Sequence, residues 1–171
     1  MKMPEYPTPD NESQRVNTLT NLGILDTPKN ECLDRITRIA CSIFNVPFAM
    51  INFITSDKDV NKSCFGMKPG GRNDRRISFC SYTILSDEPM IIENAVEHDN
   101  FKENPQVKSG INIRAYAGMP LKAADKTNPG ALCIVDTKPR KFTKAEISLL
   151  KDLAHWAEIE VNFPKACPSS I

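Results

Sequence analysis

The sequence predicts an α+β fold: a central antiparallel sheet backed by helices drawn from both ends of the chain. Three observations lead there. Helical periodicity is confined to residues 12–44 and 144–163. Short β-rich segments lie between those blocks, several joined by tight polar turns. The order of elements lacks the strand–helix alternation of a doubly wound sheet. With 171 residues and 40% hydrophobic content the chain suffices for one core and is short for two. Residues 1–11, with three prolines and no periodicity, read as a flexible arm, residues 12–163 as the domain and residues 164–171 as a tail.

Each element has a local reason. From Glu12 to Leu22, Val16, Leu19 and Leu22 recur at helical spacing, and Gly23 closes the run. Thr27 and Pro28 then signal the start of a helix from about Lys29 to Phe44, with Leu33, Ile36, Ile39, Ala40, Ile43 and Phe44 on one stripe. FAMINFIT, residues 48–55, is rich in β-branched and aromatic residues and reads as a central strand; after a turn at Ser56–Lys58, Val60–Phe65 returns as its partner. Gly66–Arg76 is built of turn formers and reads as loop. ISFCSYTI, residues 77–84, suits one short amphipathic helical turn, and PMIIEN, residues 89–94, a strand. Residues 95–110 form a long crossing loop with one or two helical turns at most, broken at Pro105 and Gly110. Arg114–Leu121 and Gly130–Asp136 read as a strand pair. Thr143 and Glu146 supply a capping box for a final helix to about Phe163.

Composition narrows the function. Twenty-two Lys and Arg against twenty-one Asp and Glu give a net charge of +1, so no broad field points to nucleic acid or an anionic membrane as partner. No apolar run approaches a membrane span and the start lacks the hydrophobic block of a secretory signal, which makes the cytoplasm the expected compartment. The six cysteines, at 32, 41, 64, 80, 133 and 167, show no CxxC spacing and no paired histidines, so reduced, packed thiols are expected rather than a metal centre.

Taken together, LGILDTP, IACSIFNVPFAMINFI, KSCFGM, ISFCSYTILSDEPMIIENAVEHDNFKENPQV, IRAYAGMPL and GALCIVDTKPRKFTKAE, in that order, resemble a GAF domain of the kind found N-terminal to bacterial histidine kinases and diguanylate cyclases. The resemblance runs from about Arg15 to Val161. It implies a six-stranded antiparallel sheet with the terminal helices on one face and a small-molecule pocket on the other. The sequence departs from the family at Tyr82, where a histidine is usual, at Ala115, where an aromatic residue is usual, and at Asp59–Val60–Asn61, where tryptophan or phenylalanine often stands. A familiar ligand is therefore not implied, and no cofactor is specified. Asn61 and Lys62 match only the first two letters of the cyclic-nucleotide signature, a coincidence.

The resemblance implies a sensory or regulatory domain that is not an enzyme and acts through an unidentified small molecule or a signalling protein, without an output segment after its last helix. The residues expected at the ligand are Phe79, Cys80, Tyr82, Asp99, Phe101, Asn104, Arg114 and Tyr116. Strand alternation puts Arg114 and Tyr116 on one face, and the loop bearing Asp99 to Asn104 leads into that strand. Arg114 there either binds an anionic group or pairs with Asp99 or loop carbonyls to pin the loop. Cys80 lacks the adjacent histidine of tetrapyrrole-binding GAF domains, having Ser81 instead, and is expected to pack. Two alternatives stay open: a thiol-dependent reductase of the free methionine sulfoxide reductase type, and an adaptor with no ligand. On the last helix, Ile147, Leu150, Ala154, Ala157 and Val161 form one apolar stripe, with Leu149, Trp156 and Phe163 on a second side. Either the N-terminal helix covers that second side or a homodimer forms there.

Overall fold

A computed structural model describes residues 6–164; residues 1–5 of the expected arm and 165–171 of the expected tail lie outside the described residues. The elements run α1 Glu12–Leu22, α2 Glu31–Phe44, β1 Phe48–Ile54, β2 Lys58–Phe65, β3 Arg72–Asp74, α3 Cys80–Thr83, β4 Met90–Ile92, α4 Pro105–Lys108, β5 Ala115–Leu121, β6 Gly130–Asp136 and α5 Lys144–Asn162. The strands form one open sheet in the order β3-β2-β1-β6-β5-β4, with every neighbouring pair antiparallel.

Period-two alternation divides the sheet into two faces. Ala49, Ile51, Phe53, Ala117, Leu121, Leu132 and Ile134 pack with Leu19 of α1, Leu33, Ile36 and Ala40 of α2, and Leu150, Ala154, Ala157 and Val161 of α5. On the other face Tyr116, Ala131, Cys133 and Val135 pack with Phe79, Ile84, Phe101, Val107 and Ile113. The terminal helices thus back one face, and the irregular middle of the chain covers the other.

Several boundaries differ from the sequence expectation for local reasons. α2 begins after Asn30, whose side chain accepts from the Leu33 N–H at 3.1 Å; Thr27 is used elsewhere, donating to the Ile24 carbonyl at 2.8 Å. Residues 66–76 are not all loop, since Arg72–Asp74 pair with Lys58–Val60 as an edge strand. Pro105 opens α4 instead of breaking a helix, because a proline in the first turn removes no intrahelical bond. The capping box at Thr143 and Glu146 forms with both reciprocal bonds. Cys32 is disulfide-bonded, while Cys41, Cys64, Cys80 and Cys133 carry free thiols. The expectation of reduced thiols throughout is corrected there, since spacing alone does not tell which cysteines a fold brings together.

Two features position the cavity side. A bulge between Ile51 and Asn52 breaks the β1–β2 register: Ile51 faces Ser63, but Asn52 faces Asn61. Lys62 is the extra residue, and it reverses the inward and outward sense of β2 from that point on. Ser63 therefore meets Thr37 and Asp34 on the helix side, whereas Asn61 and Asp59 turn to the opposite face. Lys62 itself reaches back to the Thr27 and Pro28 carbonyls at 2.7 and 3.1 Å.

The second feature is a buried charge cluster. Arg15 and Arg75 are both fully buried and share the Glu12 carboxylate. Arg15 also donates to the Ile54 carbonyl at 2.6 Å, and Arg75 to the Thr55 carbonyl at 3.0 Å. The cluster fixes α1 to the β1–β2 turn and to the segment entering α3. Tyr6 joins it, donating to the Ser56 carbonyl at 2.6 Å with the Arg75 guanidinium over its ring.

Candidate functional site

Between the open face of the sheet and the segments 77–80 and 105–113 lies a cavity of about 360 Å³. Its floor comes from β1, β2, β5 and β6 through Met50, Asn52, Asp59, Asn61, Tyr116, Cys133 and Val135. Its wall is Ile77, Phe79 and Cys80 on one side and Pro105, Gln106, Ile111 and Ile113 on the other, with Met67 and Lys68 also on its lining. The lining is mainly apolar with a small polar group at one end, the composition of a small-molecule site at the lower end of the usual range of ~300–1,000 Å³.

The polar end is the product of the bulge. Asn52 sits mid-strand in an otherwise apolar run, and its side-chain oxygen accepts from the Asn61 amide at 2.8 Å. The Asp59 side chain is held by one oxygen only: Ser78 donates to Oδ2, while Ser78 Oγ accepts the Ser81 N–H at 3.1 Å at the start of α3. Oδ1 is buried without a hydrogen-bond partner, in a residue 5% exposed. Burial pushes the Asp59 carboxyl up to about 6, against the opposing effect of Ser78 and Asn52.

Deeper in the floor, the Tyr116 hydroxyl lies 2.8 Å from Thr83 Oγ1 and 3.3 Å from Cys80 Sγ, which is 3.8 Å from Cys133 Sγ. Burial, with the two thiols beside it, drives the Tyr116 hydroxyl well above the usual phenol range. The contact with Cys80, reinforced by burial, likewise raises the Cys133 thiol. Both stay protonated at neutral pH. Cys80 is packed in this cluster and also receives a long contact from the Asn52 amide at 3.8 Å.

The residues expected at the ligand part company here. Phe79, Cys80 and Tyr116 line the cavity. Phe101 lies behind Phe79, stacked at 4.1 Å between ring centroids, with the half-buried Tyr82 edge-on to it at 4.9 Å. Asp99 has a side chain 93% exposed and pairs with Lys102. Asn104 caps α4 through the Gln106 N–H at 2.8 Å and reaches the Ile77 carbonyl at 3.0 Å. Arg114 stands one residue before β5 and donates to the Val107 and Ile113 carbonyls at 2.8 and 3.0 Å. The convergent set of Asp99, Phe101, Asn104, Arg114 and Tyr116 is therefore not assembled around the cavity. The loop turns Asp99 to solvent, and the guanidinium is spent on holding 107–113 to the sheet. Asn52, Asp59 and Asn61 supply the polar end instead; the one sequence signal for them is a lone asparagine inside FAMINFIT.

On α5, Leu149, Trp156 and Phe163 are exposed, Trp156 by 41% and Phe163 by 67%, as is Ile159 beside them. α1 leaves this strip open because its Leu19 enters the core shared with α2. Among the described residues, no helix is long and apolar enough to cross a membrane.

The chain is 31% identical over 149 residues to a cyclic di-GMP phosphodiesterase of Pseudomonas aeruginosa, a match covering 86% of this chain and 25% of that protein. Its fold is similar to the GAF domain of an Acinetobacter phosphoenolpyruvate-protein phosphotransferase, with TM-score 0.62 and 16% identity over 86% of this chain and 92% of the other. It is also similar to free methionine-R-sulfoxide reductase of Neisseria meningitidis, with TM-score 0.63 and 14% identity over 94% and 96%.

The expectation that the protein is not an enzyme is corrected by the first of these, since that relative is named as one. The chain spans a quarter of that relative's length, and the named activity is said of the relative as a whole. The expected six-stranded antiparallel sheet with helices is present. The family model of the GAF domain matches residues 29–161, from just before α2 to the end of α5, and the chain belongs to the GAF domain family, a regulatory and sensing fold.

Proposed function

We propose that this chain is a sensory module that takes a small molecule into the cavity opposite its terminal helices and passes its occupancy to a signalling output. The single observation that supports this most is the cavity itself: about 360 Å³, mainly apolar, with a buried carboxylate oxygen unpaired at one end. Occupancy shifts the population of the wall, which is built from short elements rather than the sheet. Asn104 ties α4 to the Ile77 carbonyl, and the turn at Arg75–Ile77 leads through Arg75 to Glu12 on α1. A ligand that moves this wall therefore works on the N-terminal helix. The likeness to part of a cyclic di-GMP phosphodiesterase supports an output in second-messenger signalling. The open strip of Leu149, Trp156 and Phe163 is the surface on which we place self-association.

Native mass spectrometry of the purified protein, followed by a thermal-shift screen of metabolites, tests the reading. A retained or stabilising small molecule is expected, and Ile111→Trp, which fills the cavity rim, is expected to abolish its effect. If stabilising compounds act equally on Ile111→Trp, the cavity is not the sensor.

A second reading rests on the thiols. Cys80 and Cys133, 3.8 Å apart on the cavity lining, are placed to form a disulfide while reducing a bound sulfoxide: two thiols lose two electrons, and the sulfoxide oxygen leaves as water with their two protons. The raised Cys133 thiol disfavours the thiolate that such chemistry needs, which ranks this reading second. Single-turnover consumption of free methionine sulfoxide with loss of two thiols would establish it.

A further inference from the structure

The polar end of the cavity is built around one group with an unused bond. Asp59 Oδ2 takes the Ser78 hydroxyl, and the neighbouring amides are committed, Asn61 to Asn52 and Asn52 toward Cys80. Asp59 stands on the cavity lining and its Oδ1 makes no hydrogen bond of ordinary geometry, the Asn52 side chain being near enough only to temper the rise of the carboxyl. An unpaired buried carboxylate oxygen is costly and calls for an explanation, and in a residue that lines a cavity a donor arriving from outside supplies one. A carboxylate oxygen asks for a donor, and most strongly for a charged one. Around it the lining is apolar, with Met50, Ile77, Phe79 and Val135 suited to a flat hydrocarbon or aromatic body.

Resting on the sensory reading above, we infer that the cavity selects ligands with an apolar body and a cationic or N–H donor head, the head bonding Asp59 Oδ1. Anions are excluded at this end by the carboxylate itself. The groups that face Asp59 are Ser78 before α3, Asn52 from β1, Asn61 along β2 and Asn73 paired with it on β3; none of these carries charge. The other titratable groups of the lining are Lys68, Cys80, Cys133 and Tyr116, and among the described residues neither histidine lines the cavity. Binding of a cationic head therefore strengthens as Asp59 ionises, between about pH 5 and 7.5.

The test uses the full chain and three probes of one shape: benzamidine, benzoate and methyl benzoate, followed by calorimetry and amide chemical shifts. Benzamidine is expected to bind with shifts at Asn52, Asp59 and Phe79, to weaken about tenfold from pH 7.5 to 5, and to weaken at least tenfold in Asp59→Asn. Circular dichroism and thermal unfolding of Asp59→Asn establish that it is folded; Ser78→Ala, which frees Oδ2 as well, is expected to keep benzamidine binding. The inference is overturned by no binding of benzamidine at millimolar concentration, by equal binding to Asp59→Asn, or by tighter binding of benzoate. Tight binding of methyl benzoate blocked by Ile111→Trp overturns donor selection while leaving the sensory reading standing.

Discussion

At the scale of single residues, Asp59 governs how the protein responds to pH. Its carboxyl rises from 3.8 to about 6 on folding, so the folded state holds a proton that the unfolded state releases. The stabilisation from that proton is fully present below about pH 3.8 and is lost as pH rises through about 6, a swing of order 3 kcal/mol at most. Urea titrations of Asp59→Asn are expected to remove this dependence and to leave the variant more stable than the parent at pH 7.5; an unchanged pH profile would refute the assignment. Gly118 matters for a different reason. A Cβ there would overlap the ring and hydroxyl of Tyr116, two residues back on the same face. Gly118→Ala is expected to displace the Tyr116 hydroxyl from Thr83 and Cys80 and to cost about 1–3 kcal/mol, read as a lowered urea midpoint.

At the scale of elements, α1 is held by charge as much as by apolar packing. Burial raises the Glu12 carboxyl, but hydrogen bonds and charge from Arg15 and Arg75 outweigh it and bring the carboxyl down to about 2. A carboxylate lowered in this way contributes stability that is present above about pH 4.5 and lost as pH falls through about 2. Glu12→Ala leaves two buried guanidinium groups without their anion and is expected to cost about 3–5 kcal/mol in urea unfolding, with α1 amides exchanging fastest. A cost below 1 kcal/mol would mean that α1 is held by Leu19 and its neighbours alone. α4 and α3 are single turns, α4 capped by Asn104 and α3 met by the Ser78 hydroxyl oxygen at the Ser81 N–H, with Val107 and Cys80 as their buried apolar contacts.

At the scale of the whole molecule, the sheet separates two packed layers. The helix-backed face carries the larger core, and the cavity face carries a thin cover pinned by Arg114 and Asn104. In the reading proposed above, occupancy and output fall on opposite sides, joined at the edge by the Glu12 cluster. The uncovered strip on α5 belongs to this scale too. Sedimentation of the full chain is expected to show a dimer that Trp156→Ala dissociates at least tenfold, with the unfolding midpoint of the monomer unchanged. A parent chain that stays monomeric at high micromolar concentration removes that role from the strip.

The three long helices and five of the six strands were legible in the sequence, because they follow from periodicity that residues a few positions apart impose on one another. Val16, Leu19 and Leu22 define α1 and the capping box at Thr143 and Glu146 starts α5; β5 and β6 read as strands, but both of their faces are buried, so alternation does not say which side meets the helices. The motif order likewise made the GAF resemblance legible. The site was not legible there, because it depends on contacts between segments far apart in the chain. The bulge at Lys62 changes which face Asp59 and Asn61 occupy, and a one-residue insertion of that kind is invisible in alternation that includes lysine and asparagine on both faces. For Arg114 the sequence left two roles open, an anion-binding group or a pin for the loop; the carbonyls of Val107 and Ile113 decide for the pin, and that approach exists only once the crossing segment has folded over the sheet.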